Sequence, residues 1–508
     1  MNHNKNLRCL TVALLLAACP SPPRPMDTDN PPGGADMRMT DPDGDGGEEP
    51  GVFSGTAQAV FITDRGEERV PDDLHAMPIV GFVHGSAGEP RLYPAEVQSN
   101  GTFRIPNLPP GPVWIRQGGA RFFLTSARTI DLSHYHMGRP DRVGATQRTP
   151  VSVKLSGMAP WQPDDDVQLV VTNLGFLESL LSSVDPPAND ATTMDVMLDW
   201  KEFGGAWLID SAKGDRLILA QMITQSAGGV SFVALGRSAT VGGFQMRDGM
   251  ETLLQATLTN SAPRLSMRLR WQRSRFVALA SAIHPTARAF AQWATINVNP
   301  GGALRADFDE MPELMRVEQD GGSSDIDLGM VSFLNPYPTH WVVYGRFHHH
   351  FSVNYTVPGA PRAGTLLGSV FVSDAIDRLG AGAIGPAVGP VTNITINGMN
   401  AMNNPNGVGT SPTIRWDPPE LGTANGYIVT LYRLERMPNA PVPSSARVAT
   451  IYTAQTSFVM PHGLMTSGQL YALQIRAVMQ PGVDLTRTPY MVPVQRAYAD
   501  AITGVISP

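Results

Sequence analysis

Cysteine is nearly absent from this sequence. Its two cysteines, Cys9 and Cys19, both stand near the beginning of the chain. Beyond residue 19 there is no thiol, so a disulfide, a cysteine-ligated zinc ion and a catalytic thiolate are all excluded there. The folded part must therefore hold together through burial and hydrogen bonding alone.

Charge is also scarce. Charged residues make up 16% of the chain, compared with about a quarter in typical globular proteins. Residues 1–18 carry two basic side chains and no acidic one, so the rest has 36 basic residues against 45 acidic ones, a net charge of −9. Because such a chain gains nothing from neutralising phosphates, and no stripe of Lys and Arg is present, we expect no nucleic-acid partner.

Long apolar runs are missing as well, since no stretch approaches the roughly 20 residues needed to cross a bilayer. Turn-forming residues are abundant instead: 50 glycines and 44 prolines, nearly a fifth of the 508 residues. This composition favours short strands joined by tight turns, and the length suggests roughly three domains. We predict an all-β, multidomain protein, with small antiparallel β-sandwiches around a central strand-rich domain and few helices.

The first 18 residues have the three parts of an export signal. Lys5 and Arg8 form a basic start, an unbroken apolar or weakly polar run follows from Leu10 to Ala18, and small residues close it. The run is too short for a permanent membrane helix. We predict that residues 1–18 are a signal peptide.

The end of this signal, Leu16-Ala17-Ala18-Cys19, resembles the lipobox of bacterial lipoproteins. The resemblance implies that Cys19 receives a diacylglycerol and, after cleavage, a fatty acyl group on its new amino terminus. Two or three acyl chains hold a protein at a membrane without a spanning helix. Pro20 follows in place of the Asp associated with inner-membrane retention, so we expect an outer-membrane lipoprotein of a Gram-negative bacterium, facing the periplasm or the cell surface.

Residues 19–52 are predicted to form a disordered tether. They consist largely of Pro, Gly, Asp and Met, a composition that buries too little surface to offset the entropy of ordering. Within the tether Asp41, Asp43 and Asp45, followed by Gly46, match the first half of a calcium loop, but its twelfth position is Val52. A solvated acidic linker and a calcium site both remain open.

Short strand-like segments alternate with turns in residues 53–148, and a small β-sandwich is predicted. Part of this region carries an ordered set of small, apolar and turn residues: Gly81, Pro90, Ala95, Val97, Gly101, Phe103, Ile105, Asn107, Pro109 and Gly111. In these residues it resembles the carboxypeptidase-regulatory, prealbumin-like module. The resemblance implies a structural or binding unit without catalytic residues.

Residues 149–384 are rich in predicted strands but match no family that we can name. The alternating segments are Val167–Thr172, Arg216–Ile223, Val230–Leu235 and Trp341–Phe351. The best helix candidate is Phe276–Ala291, which Pro285 would break or kink.

Residues 386–508 contain an ordered series of strand-like segments with aromatic residues: Ile414–Pro419, Gly426–Val429, Thr456–Phe458, Leu464, Tyr471–Leu473 and Ile475–Ala477. In these segments the region resembles a fibronectin type III domain. The resemblance implies that Trp416 lies buried on the second strand and that Tyr471 forms a tyrosine corner. Two long inserts, Met399–Ser411 and Arg436–Ala446, depart from the compact pattern and are predicted to lie at the ends of the sandwich, where binding surfaces are usual.

The tract His348-His349-His350 is the strongest candidate for a metal site. On a strand, His348 and His350 share a face about 7 Å apart and could bind one divalent ion together with a third ligand such as His340. No other zinc-ligand motif accompanies them. A solvated or cross-strand-packed histidine strand is the alternative.

Candidate catalytic residues are weaker. His84-Gly85-Ser86-Ala87-Gly88 lacks the glycine that a nucleophile elbow requires two residues before its serine. Acidic pairs, Asp307 with Asp309 and Glu310, or Asp164 to Asp166, could flank a glycosidic bond but are more typical of loops. Exposed tryptophans can stack on sugar rings, but buried packing is more typical of the tryptophans in this region, which are Trp161, Trp200, Trp207, Trp271, Trp293 and Trp341.

These observations favour a non-enzymatic role. We expect a lipid-anchored envelope protein, without a cofactor apart from its lipid, that binds a protein or glycan through sandwich loops in adhesion or envelope structure. One alternative is an exported hydrolase with its site in residues 149–384. Another is a surface protein that binds divalent metal.

Overall fold

The computed structural model describes residues 51–84, 89–203, 207–306 and 311–508. Strands make up 51% of the structure and helices 6%. The predicted all-β class, with β-sandwiches around a central strand-rich region, is confirmed. Among the described residues, no helix is long and apolar enough to cross a membrane.

The first eleven strands are short and lie in residues 53–137. Their bounds are β1 Phe53–Thr56, β2 Gln58–Thr63, β3 Gly66–Pro71, β4 Ile79–His84, β5 Pro90–Pro94, β6 Glu96–Val97, β7 Thr102–Ile105, β8 Val113–Gln117, β9 Arg121–Thr125, β10 Thr129–Asp131 and β11 His134–Met137. One sheet has the order β10-β1-β7-β6, and it faces strands β4, β5, β8 and β9 across an apolar core that includes Phe103, Ile115 and Phe123. This is the predicted small sandwich.

Strands of the central region are longer. Their bounds are β12 Pro150–Ser156, β13 Asp166–Val171, β14 Phe176–Ser179, β15 Met194–Asp199, β16 Leu217–Ala227, β17 Val230–Val241, β18 Thr252–Thr257, β19 Arg264–Trp271, β20 Arg288–Asn299, β21 Glu313–Asp320, β22 Ile326–Leu334, β23 Val342–Tyr355 and β24 Gly364–Ala375. The four segments in which alternation predicted strands correspond to β13, β16, β17 and β23.

The C-terminal region has eight strands within the described residues. Their bounds are β25 Thr392–Ile396, β26 Met399–Asn400, β27 Thr413–Asp417, β28 Gly426–Glu435, β29 Ser444–Thr453, β30 Ser457–Val459, β31 Leu470–Met479 and β32 Arg496–Ile502. The sheet β26-β25-β27-β30 packs on strands β28, β29, β31 and β32. Trp416 is buried between them, with its ring edge-on to Tyr427 at 5.2 Å. The hydroxyl of the buried Tyr471 accepts a hydrogen bond from the backbone N–H of Thr466 at 3.0 Å, which is the geometry of a tyrosine corner.

The helices found within the described ranges are short. They are α1 Arg273–Val277, α2 Ala280–Ile283 and α3 Ile376–Gly380, with 3-10 turns at Thr172–Leu174, Leu180–Ser182, Ser211–Lys213 and Ala401–Asn403. The helix predicted over Phe276–Ala291 is correct only in its first half. It ends before Pro285, whose ring removes a backbone donor, and from Arg288 onward the chain forms β20.

One continuous sheet of 16 strands runs through all three regions. Its order is β14-β13-β16-β17-β21-β20-β23-β24-β32-β31-β28-β29-β9-β8-β4-β5. Strand β24 of the central region pairs antiparallel with β32, while β29 pairs in parallel with β9 of the first sandwich. Smaller sheets, among them β15-β12-β18 and β19-β22, cover parts of it. The described residues thus fall within one compact unit.

Candidate functional site

Several residues singled out from the sequence lie outside the described part of the chain. They are Cys19, Asp41, Asp43, Asp45, Ser86, Asp307, Asp309 and Glu310. The predictions of lipidation and of a calcium loop therefore remain predictions.

Two of the acidic side chains at residues 164–166 accept hydrogen bonds from neighbouring parts of the fold. Asp165 is buried and accepts hydrogen bonds from the backbone N–H groups of Gln162 and Thr224, at 3.2 and 2.7 Å. Asp166 is also buried and accepts a hydrogen bond from the hydroxyl of Ser179 at 2.5 Å. These contacts tie β13 to its neighbours, because buried carboxylates must be paired.

The histidine tract lies in the middle of β23, where side chains alternate between two faces. His349 points into the core, accepts a hydrogen bond from Trp271 Nε1 at 2.8 Å and stacks on Phe276 with ring centroids 3.9 Å apart. Burial lowers the pKa of His349 to about 2. This histidine is a neutral packing residue.

His348 and His350 occupy the other face of β23. Their rings are nearly parallel, with centroids 5.9 Å apart, and both stack against Trp293 of β20, at 4.9 and 4.3 Å. His340, the third ligand considered from the sequence, is exposed in the turn before β23. In the ranges that the structure describes, no group of three His, Cys, Asp or Glu side chains is arranged to hold a metal ion.

Four rings form a row across four neighbouring strands. Trp293 on β20 stands opposite His348, which stands opposite Phe371 on β24, and Phe371 in turn stands opposite Tyr498 on β32. Successive ring centroids are 4.9, 4.4 and 4.8 Å apart. Directly opposite residues of paired strands lie close enough for such contacts.

Arginine side chains lie over this row. The guanidinium carbon of Arg476 is 3.8 Å from the ring centroid of Tyr498, and that of Arg496 is 4.9 Å from the centroid of Phe371. Both geometries are typical of cation–π contacts. We call this group of side chains the aromatic–arginine face; within it Phe371 and His348 are buried. Its members are Trp293, Arg346, His348, His350, Phe371, Arg476, Arg496 and Tyr498.

A buried carboxylate fixes one of these arginines. Asp500, fully buried on β32, accepts hydrogen bonds from Arg476 Nε and Nη2 at 2.7 and 3.0 Å. Its second oxygen also accepts bonds from Gln474 at 2.7 Å and from the backbone of Ser369 at 2.8 Å. Such a two-point pair holds the guanidinium plane in one orientation.

The histidines of this face are neutral. Burial first, and then the charges of Arg346, His350, Arg496 and Arg476, hold the pKa of His348 well below its usual value. Burial also lowers the pKa of His350 to about 4, although Asp500 acts in the opposite direction. Among the described residues, His348 Nδ1 and His350 Nε2 have no hydrogen-bond partner.

A second candidate lies at one end of the C-terminal sandwich. Two adjoining clefts of about 540 and 310 Å³ share Val357, Pro358 and Leu470. The predicted inserts line them: Arg436, Met437 and Pro438 contribute to the larger cleft and Asn404 to the smaller one. We call the two together the end cleft.

Sequence reasoning located the inserts but missed the arginines and Tyr498. A pattern that would have found them is Arg496-Ala-Tyr-Ala-Asp500, in which large polar or aromatic residues alternate with alanine. Ala497 and Ala499 are fully buried on the opposite face, as this alternation requires.

No family model and no curated protein matches this chain. Among solved structures, the chain is similar to one described as a tetra-tandem repeat in the extending region of a large adhesion protein, with 10% identity and a TM-score of 0.12. The match covers 89% of this chain and 99% of that chain. A likeness of this size is too small to support a shared fold or a shared function.

Proposed function

We propose that this chain is an exported, lipid-anchored envelope protein that binds a partner non-enzymatically through loops of its C-terminal sandwich. The proposal rests on one observation. The inserts Met399–Ser411 and Arg436–Ala446 both contribute side chains to the end cleft, together with the turn between β23 and β24. Loops held on a rigid sandwich are a usual place for recognition.

The chemistry of the end cleft suits a mixed apolar and polar partner, either a protein segment or a glycan. Apolar side chains of Val357, Leu434 and Leu470 line it, while Met437 is 44% exposed at its edge. Arg436 lies against Gly359, whose φ of +76° permits the tight turn that brings the two loops together. The larger cleft, of about 540 Å³, is open to solvent rather than enclosed.

The anchor is tested on the two cysteines. We expect Cys19→Ser to abolish acylation and release the chain from the membrane fraction, whereas Cys9→Ser leaves both unchanged, as measured by mass analysis of the N-terminus with and without globomycin. A mature chain that begins elsewhere and carries no acyl group would contradict the anchor.

Loop binding is tested by placing a photo-crosslinking amino acid at Met437 and, as a control, at Leu92, which is 55% exposed on β5. We expect a specific envelope adduct from position 437 of the full chain in intact cells. If position 437 gives no more adduct than position 92, the end cleft is not the binding surface.

A further inference from the structure

Strand β18, Thr252–Thr257, is an edge of the sheet β15-β12-β18, and no strand of the described residues pairs with its outer side. It carries neither a charged residue nor a proline. We propose that β18 pairs antiparallel with β18 of a second copy of this chain, across a two-fold axis at Gln255. This contact is separate from the end cleft, and the proposed function does not use it.

The backbone of β18 has hydrogen-bonding groups on its outer side. Leu258 donates its N–H to the carbonyl of Ser156, on the side of β12, at 2.8 Å. Successive residues of a strand direct their backbone groups to opposite sides, so the N–H and C=O groups of Leu253, Gln255 and Thr257 point away from β12. A second β18 centred on Gln255 would form about six hydrogen bonds with these groups.

Strand β17 limits the length of this pairing. Thr259, two residues after β18, exchanges backbone hydrogen bonds with Ser238 of β17 at 2.8 and 3.0 Å. The open edge therefore runs from Leu253 to Thr257, and a two-fold axis at Gln255 places each end of it opposite the other. Because so short a contact is small, we expect a weak dimer that forms at high protein concentration, while at lower concentrations the chain is monomeric.

Charge distinguishes β18 from the other long edge strands. Exposed sheet edges are commonly protected against pairing by charged side chains or prolines. Among the described edge strands of five residues or more, β18 lacks such residues and each of the others has them. They are Glu67, Glu68, Arg69 and Pro71 on β3, Pro90, Arg91 and Pro94 on β5, Asp195 and Asp199 on β15, Arg264, Arg268 and Arg270 on β19, and Asp327 on β22.

The outer side chains of β18 suit their own copies. With the axis at Gln255, this exposed side chain lies opposite Gln255 of the second copy. A carboxamide both donates and accepts hydrogen bonds, so two identical glutamines can bond to each other. Leu253, which is 57% exposed, lies opposite Thr257 of the second copy and gains cover there.

No like charges meet across the proposed axis. Within the sheet, the residue opposite Gln255 on β12 is Lys154, whose charge is paired with Asp195 at 3.0 Å. The two copies of Lys154 would lie three strand spacings apart, or about 14 Å. This exceeds the distance of about 8 Å over which salt screens exposed charges.

A disulfide crosslink tests the pairing, because both native cysteines precede residue 20. Opposite residues of such a pair have Cα atoms about 5.5 Å apart, a distance that a disulfide spans. We expect Gln255→Cys in the full chain, purified in detergent at high concentration, to form a covalent dimer under mild oxidation. The matched control is Met197→Cys, at a position 59% exposed on β15, the opposite edge of the same sheet. This control and the original chain are expected to stay monomeric on denaturing gels.

Light scattering at increasing concentration measures the association without a crosslink. We expect Gln255→Lys, which places like charges opposite each other, to weaken the dimer at least about tenfold, whereas Met197→Lys leaves it unchanged. Circular dichroism melting confirms that each variant is folded.

Three outcomes overturn the proposal. The original chain stays monomeric at every concentration, or position 255 crosslinks no better than position 197, or Gln255→Cys in intact cells forms an adduct with a different protein in place of the covalent dimer. None of them concerns the end cleft, because that site is tested separately at Met437.

Discussion

Asp500, on β32 of the 16-stranded sheet, connects side chains and backbone of neighbouring strands. It is fully buried and accepts hydrogen bonds from Arg476, Gln474 and the backbone of Ser369. A buried carboxylate is tolerated where it is paired with a charge and hydrogen-bonded, as Asp500 is. Its partner Arg476 also forms part of the aromatic–arginine face, so one residue links folding to a candidate site.

Replacing Asp500 by Asn should therefore be costly. The substitution leaves Arg476 without its counter-charge, and we expect the free energy of unfolding to fall by about 3 kcal/mol. Urea denaturation measures the loss. The matched control is Asp195→Asn on β15, whose carboxylate forms an exposed ion pair with Lys154. This substitution should change the free energy of unfolding by less than about 1 kcal/mol.

The histidines make stability depend on pH. The unfolded chain protonates His350 near 6.5, whereas the folded state does so only at about 4. As pH falls from 6.5 toward 4 the unfolded state binds more protons, so stability decreases by about 1.4 kcal/mol per pH unit for each such histidine.

We expect His350→Gln, which keeps a hydrogen-bonding group beside Ser369, to reduce this slope by about one proton between pH 4 and 6.5. Urea midpoints at a series of pH values measure it. His340→Gln removes an exposed histidine and is the control. An unchanged slope in the His350 variant would mean that His350 is protonated in the folded state as readily as in the unfolded one.

At the scale of elements, the junction between β9 and β29 joins the first sandwich to the last. Phe123 of β9 stacks on Tyr452 of β29 at 5.1 Å and meets Tyr490 edge-on at 6.0 Å. Phe123 itself is fully buried. Residues more than 300 positions apart thus share one core.

We expect Phe123→Ala to lower the free energy of unfolding by about 4 kcal/mol. The substitution leaves a cavity at the junction and removes packing contacts from both regions. Leu92→Ala, on an exposed edge strand, should change it by less than about 0.5 kcal/mol. Tryptophan fluorescence and circular dichroism follow the two variants in urea. A loss below about 1 kcal/mol would show that the junction is loosely packed.

At the scale of the whole molecule, the resemblances in sequence suggested separable modules, whereas the 16-stranded sheet makes the modules share strand pairs. In a fragment of residues 386–508, β32 would lack its partner strand β24 and β29 would lack its partner strand β9. Two unpaired sheet edges are a cause of association between chains.

We therefore expect the isolated fragment 386–508 to form oligomers at concentrations where a 51–508 chain does not, as measured by size-exclusion chromatography with light scattering. Each edge can be blocked by a charged residue, so a fragment with Thr450→Lys should associate less. A monomeric, cooperatively folding fragment would show that the shared strand pairs are dispensable.

The sequence by itself determined the all-β class, the main strands of the central region and the shared face of His348 and His350. All of these follow from the alternation of neighbouring side chains along a strand, which is a local property. Tertiary structure alone decided that Trp293, Phe371 and Tyr498 stand beside that face and that Asp500 fixes Arg476. It also decided that three sequence regions share one sheet. These outcomes depend on which strands pair and in which register, and pairing between distant segments is set by the packing of the entire chain.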